Sequence, residues 1–409
     1  MKVIATAYIC KPDVGSEAGI GWNWAHQIAQ RHELWLFTRK KHQALCEEGV
    51  RKLGLSESWK IIGYDLPPPL TWAKSRLRSI MFYYYFWHQG VAKEALKLHG
   101  TINADIAHHL TFATSWLPTF LHELSIPTVW GPVGRHPQIP PFLLEKKDHK
   151  TRIREAIRER LIRTIETFEP NLKRCIQNTY ILSLNTAFRD SLPAERRGHY
   201  HYFPAMGSEL VDYPKRKERD RLEVLSAGRF VPMKGFHLSI KAIAKAHQKG
   251  VKIRLTILGD GKQRKQLESL AQNLGVGDLV EFRGFLPRHE VLQAMRSADV
   301  FLFPSTEGAG MVVAEALMNG MPVVCLDFGG PGDIITPEIG RAVPVITQEQ
   351  VVKDLGTALE FLATDRPRLQ KMSKAAHRYA LNYLTWQSKG ELLDWLYPHL
   401  LSQKNEMAI

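Results

Sequence analysis

The chain has 409 residues, 44% of them apolar, 23% charged and 10% aromatic, which predicts two domains of roughly 150–200 residues rather than one core. It carries no low-complexity tract and no short-period repeat, which argues against solenoid and disordered classes. The formal net charge of +14 asks for an anionic partner (nucleic acid, an anionic membrane or an anionic small molecule) or for a solvated basic surface.

The opening MKVIATAYICKPD has a short apolar run and no small-residue cleavage signal, so it reads as a first strand rather than a signal peptide. No stretch of about 18 uninterrupted apolar residues follows, and no spanning helix is expected. Strands are predicted at VIATAYI, ELWLFT, WKIIGYDL, DIAHHL and TVWGP, with helices over 19–31, 41–53, 75–98 and 115–124 between them. A long amphipathic segment over 149–177 precedes the strand YILSL. Alternation of this kind is the mark of α/β folds with parallel sheets.

HYHYFPAMGSELVDYPKRKERDR (199–221) is punctuated by proline and ends in a charge run, a linker composition. A second α/β unit begins at LEVLSAG. Its later strands are KIRLTILG, LVEFRGF, VFLFPS, PVVCLD and AVPVI, with helices over 235–248, 262–274, 288–298, 311–319 and 348–363. The tail 366–401 is helical again, and its Trp386, Leu392, Leu393, Trp395, Leu396 and Tyr397 form an apolar face that must pack on something. The expected organisation is a first domain over 1–205 and a second over 206–382. A C-terminal helix over 383–401 packs back on the first. Open parallel sheets carry ligand crevices at the carboxyl ends of their strands, so a cleft between two facing domains is the expected active site. The four cysteines, Cys10, Cys46, Cys175 and Cys325, lack metal-ligand spacing and read as reduced, structural residues of a cytoplasmic protein.

The most specific segment is FLFPSTEGAGMVVAEALMNGMPVV (301–324). A buried strand ends at Pro304-Ser305, and a loop of small residues leads into a helix. Small residues let backbone approach a ligand, and free N–H groups at a helix start favour an anion. Glu307 in the loop and Glu315 in the helix bring two carboxylates to that place, and a carboxylate accepts from vicinal hydroxyls of a sugar. In LSAGRFVPMKGFHLSIKAIA (225–244) a strand ends at Gly228-Arg229 and Lys234-Gly235 opens a helix, so two cations can reach one diphosphate from two sides.

Glu307 and Glu315 match the E-x7-E signature, and Arg229 and Lys234 the G-R-x4-K-G signature, of retaining glycosyltransferases of family 4, which the chain resembles. The resemblance implies the α/β GT-B fold: two facing Rossmann-like domains with an interdomain cleft, acceptor side first and donor side second. It further implies that a hexosyl unit passes from a UDP- or GDP-linked sugar to a saccharide or lipid-linked acceptor, as in cell-surface polysaccharide or glycoconjugate synthesis. Arg229 and Lys234 would stabilise the leaving pyrophosphate. Glu307 would meet the donor sugar, Glu315 the ribose, and the amides of Gly308, Ala309 and Gly310 sugar and phosphate. The family usually has an aromatic residue where Ala309 stands, a departure that widens the sugar pocket. VEFRGFLPRHEVLQAMRSADV resembles the family too, and would set Arg283 and Phe285 near the base. No D-x-D metal motif occurs, so no metal or other cofactor is expected and the nucleotide sugar is a substrate.

The first half is less specific. CKPDVGSEAGIGWNWAHQIA (10–29) is neither G-x-G-x-x-G nor a Walker A sequence. It resembles the family's first loop, with Gly15 and Ser16 as donor contacts, Glu17 as a weaker one, and a structural turn as the other reading. His108 and His109 end the strand DIAHHL, and alternation sends one inward and one outward. They are candidates for substrate contact or structural residues. Gly131-Pro132 stands where many relatives have a histidine, and His136 is a candidate substitute. RLRSIMFYYYFWHQGVAKEALKLHG (76–100) is open to two readings, a core helix or a surface against a membrane or lipid-linked acceptor. The basic, amphipathic 146–168 is likewise a solvated face or a contact for anionic headgroups. A cytoplasmic protein, peripheral at the membrane face, is compatible with both. Rival readings of the whole are a nucleotide-sugar epimerase of the same fold, and a non-catalytic nucleic-acid-binding protein suggested by charge alone. No nucleic-acid motif supports the latter, and no nucleic-acid partner is expected.

Overall fold

A computed structural model of the chain describes residues 1–68, 80–135, 138–143, 149–308 and 310–407. In the first half the elements are β1 (Lys2–Ala7), α1 (Ser16–Ala29), β2 (Glu33–Thr38), α2 (Lys40–Lys52), β3 (Trp59–Gly63), α3 (Ile80–Ile102), β4 (Ile106–Thr111), β5 (Thr128–Val133), α4 (His149–Phe168), α5 (Pro170–Asn178), β6 (Tyr180–Ser183), α6 (Ala187–Ser191) and β7 (Tyr200–Tyr202). In the second half they are β8 (Leu222–Ala227), α7 (Phe236–Gln248), β9 (Ile253–Leu258), α8 (Arg264–Asn273), β10 (Val280–Gly284), α9 (Arg288–Ser297), β11 (Val300–Phe303), α10 (Met311–Met318), β12 (Val323–Leu326), α11 (Gly329–Ile334), β13 (Gly340–Val343), α12 (Gln348–Thr364), α13 (Arg366–Tyr383) and α14 (Trp386–Met407).

The chain forms two compact units. One comprises Met1–Arg135, Arg160–Ala205 and Trp386–Ile409, and the other His136–Glu159 and Met206–Thr385. The first holds a seven-stranded sheet in the order β3-β2-β1-β4-β5-β6-β7, parallel throughout. Helices cover both faces of such a sheet, so its central strands are buried all along rather than alternately, and every residue of β4 and β5 is buried. One core gathers Ile4, Tyr8, Tyr84, Trp87 and Leu121, and another gathers Trp130, Leu172, Ile181 and Phe188. α14 belongs to this unit. Its Asp394 takes a hydrogen bond from Arg31 at 3.0 Å, and Gly390 leaves room for that guanidinium. Leu393, Leu396 and Tyr397 are buried, while Trp395 stays half exposed.

The second unit holds a six-stranded parallel sheet in the order β10-β9-β8-β11-β12-β13. Alternation divides β11 between two cores. Val300 and Leu302 join Val224, Leu255 and Leu355 on one face, and Phe301 and Phe303 join Val313 and Leu317 on the other.

Four expectations need correction. The helix over 115–124 is only a 3-10 turn, Leu121–Leu124, because Pro118 falls inside the segment and offers no N–H. The stretch read as linker from 199 opens with a strand, β7 (Tyr200–Tyr202), at the edge of the first sheet. Ile139 and Leu143, read with the first domain, pack into the core of the second unit. The charge run that reads as linker is anchored. Arg216 donates to the carbonyls of Ala298 (2.5 Å), Gly320 (3.1 Å) and Asn319. Those carbonyls lie at the C-terminal ends of α9 and α10, where no helical partner remains for them. The aromatic run resolves as a core helix, with Tyr83, Tyr84, Trp87, Val91 and Ala95 buried; residues 69–79 lie outside the described part. All four cysteines are free and buried. Among the described residues no helix is long and apolar enough to cross a membrane.

Candidate active site

In the second sheet the strand order reverses between β8 and β11. A crevice opens at the carboxyl ends of strands at such a switch point, and the two motif segments leave their strands there. β8 runs into Gly228-Arg229, and β11 into Pro304–Gly310. Gly228 has φ +149, and a Cβ there would meet the Lys234 side chain at 3.1 Å, so this lysine lies directly over the glycine. Gly235 has φ +67, and a Cβ there would come within 2.0 Å of the Pro304 carbonyl oxygen. The Met233 carbonyl accepts from the Thr306 N–H (2.9 Å) and the Ser305 hydroxyl (3.1 Å). These contacts clamp the two loops together.

At the junction, Lys234 Nζ donates to Glu307 Oε2 at 2.7 Å and lies 5.4 Å from the centre of the Phe303 ring. The two side chains are 13% and 25% exposed. The pair is therefore reachable yet partly withdrawn from water, where a charge contact weighs more than at an open surface. Arg229 is exposed and makes no ion pair with any described residue. Gly310, at φ +66, caps α10 from the left-handed region, and a Cβ there would strike Pro331. The loop is backed by the start of α11: Gly330 N–H donates to the Gly308 carbonyl at 2.8 Å. Ala309 lies outside the described residues.

Glu315 is one turn into α10. Its Oε1 accepts from Arg288 Nη1 at 2.6 Å, and its side chain is 15% exposed against 59% for the arginine. Sequence reasoning missed Arg288, the first residue of α9, because no spacing rule links positions 27 apart on different helices. It missed equally the Met233 carbonyl, which no side-chain motif can announce. Arg283 sits on β10 with Nε 3.9 Å from Glu281, and Phe285 follows the strand 85% exposed. The Gly259 N–H donates to the Gly284 carbonyl at 2.7 Å, which brings this segment beside the turn after β9, at the same end of the sheet.

The first sheet also reverses, between β1 and β4, and the Gly-rich loop lies at that switch. Gly15 precedes α1 in extended conformation with no atom near its absent Cβ; of the Ser16 side chain nothing is described. Glu17 crosses the switch and accepts from the Ala113 N–H at 2.5 Å. Burial lifts its carboxyl to about 7, although that hydrogen bond acts the other way.

Both candidate histidines of this unit prove internal. His108 Nε2 donates to the Gly131 carbonyl at 2.8 Å, so its Nδ1 accepts from the Tyr397 hydroxyl at 2.6 Å. His109 Nε2 donates to the Phe112 carbonyl at 3.0 Å, and its Nδ1 faces His88 Nε2 at 3.0 Å. Both rings are fully buried, and burial lowers them to about 3 and about 4. A strand covered on both faces has no outward side, so the inward–outward alternation fails and neither ring is offered to a ligand. His136 lies outside the described residues.

Residues 212–379 match the family of glycosyl transferases group 1. The chain is 37% identical over 150 residues to WcaL of Escherichia coli (strain K12), named as a colanic acid biosynthesis glycosyltransferase; this covers 34% of the chain and 37% of WcaL. It is 30% identical over 196 residues to the GDP-mannose-dependent alpha-(1-6)-phosphatidylinositol monomannoside mannosyltransferase of Mycolicibacterium smegmatis, covering 46% of the chain and 49% of that protein. The chain thus spans between about a third and a half of the length of these relatives. The crystal structure of Anabaena Alr3699/HepE in complex with UDP superposes with a TM-score of 0.60 at 15% identity, over 96% of this chain and 98% of that one. The likeness shows the fold, two Rossmann-like units of the GT-B type.

Proposed function

We propose that this chain, whose residues 212–379 form a glycosyl transferases group 1 domain, is a retaining hexosyltransferase that uses a UDP- or GDP-linked sugar. Its acceptor is a saccharide or a lipid-linked saccharide, in the synthesis of surface polysaccharide or glycoconjugate. The observation that carries the reading is the Lys234–Glu307 contact of 2.7 Å at the switch point, beside the exposed Arg229. A lysine has three N–H donors, so Lys234 can keep Glu307 and still reach a phosphate oxygen. Glu307 retains acceptor capacity for sugar hydroxyls. The junction between hexose and diphosphate is thereby assigned to the space above this pair.

In this reading the bond between the anomeric carbon and the diphosphate oxygen breaks while the acceptor hydroxyl adds from the same face. The proton of that hydroxyl passes to the departing diphosphate. Arg229 and Lys234 hold the charge that develops on the leaving group, the kind of preorganised stabilisation that dominates many enzymes, and no metal or other cofactor is assigned. Glu315, fixed by Arg288, takes the ribose. Phe285 offers an exposed ring for the base. WcaL and the mannosyltransferase are named for polysaccharide and glycolipid products, and the HepE structure is described with UDP, which supports the donor and acceptor classes.

Lys234→Ala and Glu307→Ala are each expected to lower kcat/KM by roughly 10²-fold or more at unchanged folding. Turnover near wild type in either variant would remove that residue from the mechanism. A parallel incubation of donor without acceptor separates transfer from epimerisation, since only an epimerase converts the sugar alone.

A further inference from the structure

β7 and α14 of the first unit share a row of rings at the surface. Residues two apart on a strand point to one side, and His201 and Phe203, on and just past β7, stack with ring centres 6.2 Å apart and planes 29° apart. Residues four apart on a helix stand one above the other, and Trp395 and His399 of α14 stack at 5.2 Å and 14°. His201 and Trp395 meet at 5.6 Å, which joins the two pairs into the series Phe203, His201, Trp395, His399. Trp395 is 50% exposed, and the other three rings are partly exposed. A single exposed apolar side chain needs no explanation; four rings in consecutive contact at the surface do.

The polar groups beside this row suit hydroxyls. Glu391, one turn before Trp395, is exposed and accepts from Gln387 Nε2 at 3.1 Å; a carboxylate has further lone pairs for other donors. Gln403, one turn after His399, donates to its Nε2 at 3.1 Å, and its amide oxygen is a further acceptor. The exposed charges next to Trp395 on α14 are the carboxylates of Glu391 and Asp394, the latter paired with Arg31 at 3.0 Å. Among the described residues the one basic group over these rings is Lys389, 4.3 Å from the centre of Phe203, and it is fully buried. A nucleic-acid strand needs exposed cations for its phosphates beside the stacking rings, and an anionic bilayer needs them too. A sugar ring needs none: it presents a C–H face and a rim of hydroxyls, which an aromatic face flanked by a carboxylate and an amide can take together.

We infer that the row Phe203, His201, Trp395 and His399 is a binding site for an uncharged saccharide chain. Successive sugar rings lie over successive side-chain rings, while Glu391 and Gln403 take hydroxyls. The row belongs wholly to the first unit and shares no residue with the candidate active site, so it is an additional saccharide site rather than part of the donor site. It accords with a saccharide acceptor but does not rest on the transfer reaction, because binding of a sugar chain is read without any donor.

The test is a titration of the full chain with maltohexaose, cellohexaose and mannohexaose, each read by saturation-transfer NMR. At least one is expected to bind, and more tightly than its disaccharide, because a longer chain engages more of the rings at once. Trp395→Ala is expected to weaken that binding by at least roughly tenfold, and Trp395→Phe, which keeps a ring, to retain most of it. Trp395 is half exposed, so circular dichroism should be unchanged in both variants. No binding of any hexasaccharide to wild type, or equal affinity in Trp395→Ala, overturns the proposal. So does a thymine oligonucleotide that binds through Trp395 where no saccharide does, or a self-association in sedimentation that Trp395→Ala abolishes while no saccharide binds. The row would then serve a nucleic-acid strand or a second copy. A donor-induced thermal shift in a wild type that binds no hexasaccharide sinks this inference and leaves the catalytic reading standing; saccharide binding through Trp395 without any donor-induced shift does the reverse.

Discussion

Buried histidines make the stability of this protein depend on pH in a stated direction. His42, His109 and His237 are held at about 4 and His108 at about 3, in each case mainly by burial; nearby Lys41, Lys11 and Arg39 add to the effect at His42. In the unfolded chain each takes up a proton near 6.5. Between those values the unfolded state binds more protons, so stability falls as pH drops from about 6.5 toward 4. Glu17 opposes this. Lifted to about 7, it holds a proton that the unfolded chain has lost, and so contributes stability as pH falls from about 7 to 4.5. Four groups outweigh one, and the melting temperature is expected to fall between pH 7 and pH 5; a rise over that interval would contradict the account. The candidate site was legible at this scale where one short motif carries two charges, as with Arg229, Lys234, Glu307 and Glu315. Arg288, which holds Glu315, is visible only once α9 and α10 are side by side. His108 and His109 stay open between substrate contact and a structural role in the sequence, because a pair of polar residues at a strand end looks the same whether one face of the sheet is open or both are covered.

At the scale of elements, the site depends on two loops that touch through backbone. Gly235 is the tightest point, since φ is +67 and a Cβ would lie 2.0 Å from the Pro304 oxygen. Gly235→Ala is expected to cost at least about 1–3 kcal/mol. That lowers the melting temperature by several degrees and displaces Lys234 from Glu307, which abolishes donor binding. A variant that melts and binds like wild type would show that the loops tolerate separation. Most strands are legible as apolar runs because a parallel strand covered on both faces needs one; ELWLFT, for example, is β2 residue for residue, whereas β7, the polar YHY at the sheet edge, carries no such run. The helix expected over 115–124 fails at Pro118, which offers no N–H inside the segment, and only the turn Leu121–Leu124 remains. α11 was not foreseen at all, because GGPGDI reads as turn chemistry and its six-residue helix is set by the loop it supports. The fixed course of 206–221 was hidden for another reason: a single arginine bonded to helix-end carbonyls looks like any other member of a charge run.

At the scale of the whole molecule, both units follow one plan, an open parallel sheet whose strand order reverses once, with the Gly-rich segment of each at the reversal. The second unit carries the charged groups suited to a diphosphate, and the first carries Glu17 and the open Gly15 at its own switch point. Net charge accords with an anionic ligand but does not choose among ligands. The choice rests on Lys234, Arg229 and Glu307. In the proposed function the second unit holds a nucleotide sugar through Lys234, and a thermal-shift screen of UDP-, GDP- and ADP-hexoses on wild type beside Lys234→Ala checks this. At a concentration about a hundredfold above Kd, a bound donor stabilises by about 2.7 kcal/mol, a shift of a few degrees for a chain of this size. Such a shift is expected with a UDP- or GDP-sugar and should be lost in the variant; no shift with any donor, or an equal shift in the variant, would overturn the assignment of Lys234 to donor binding.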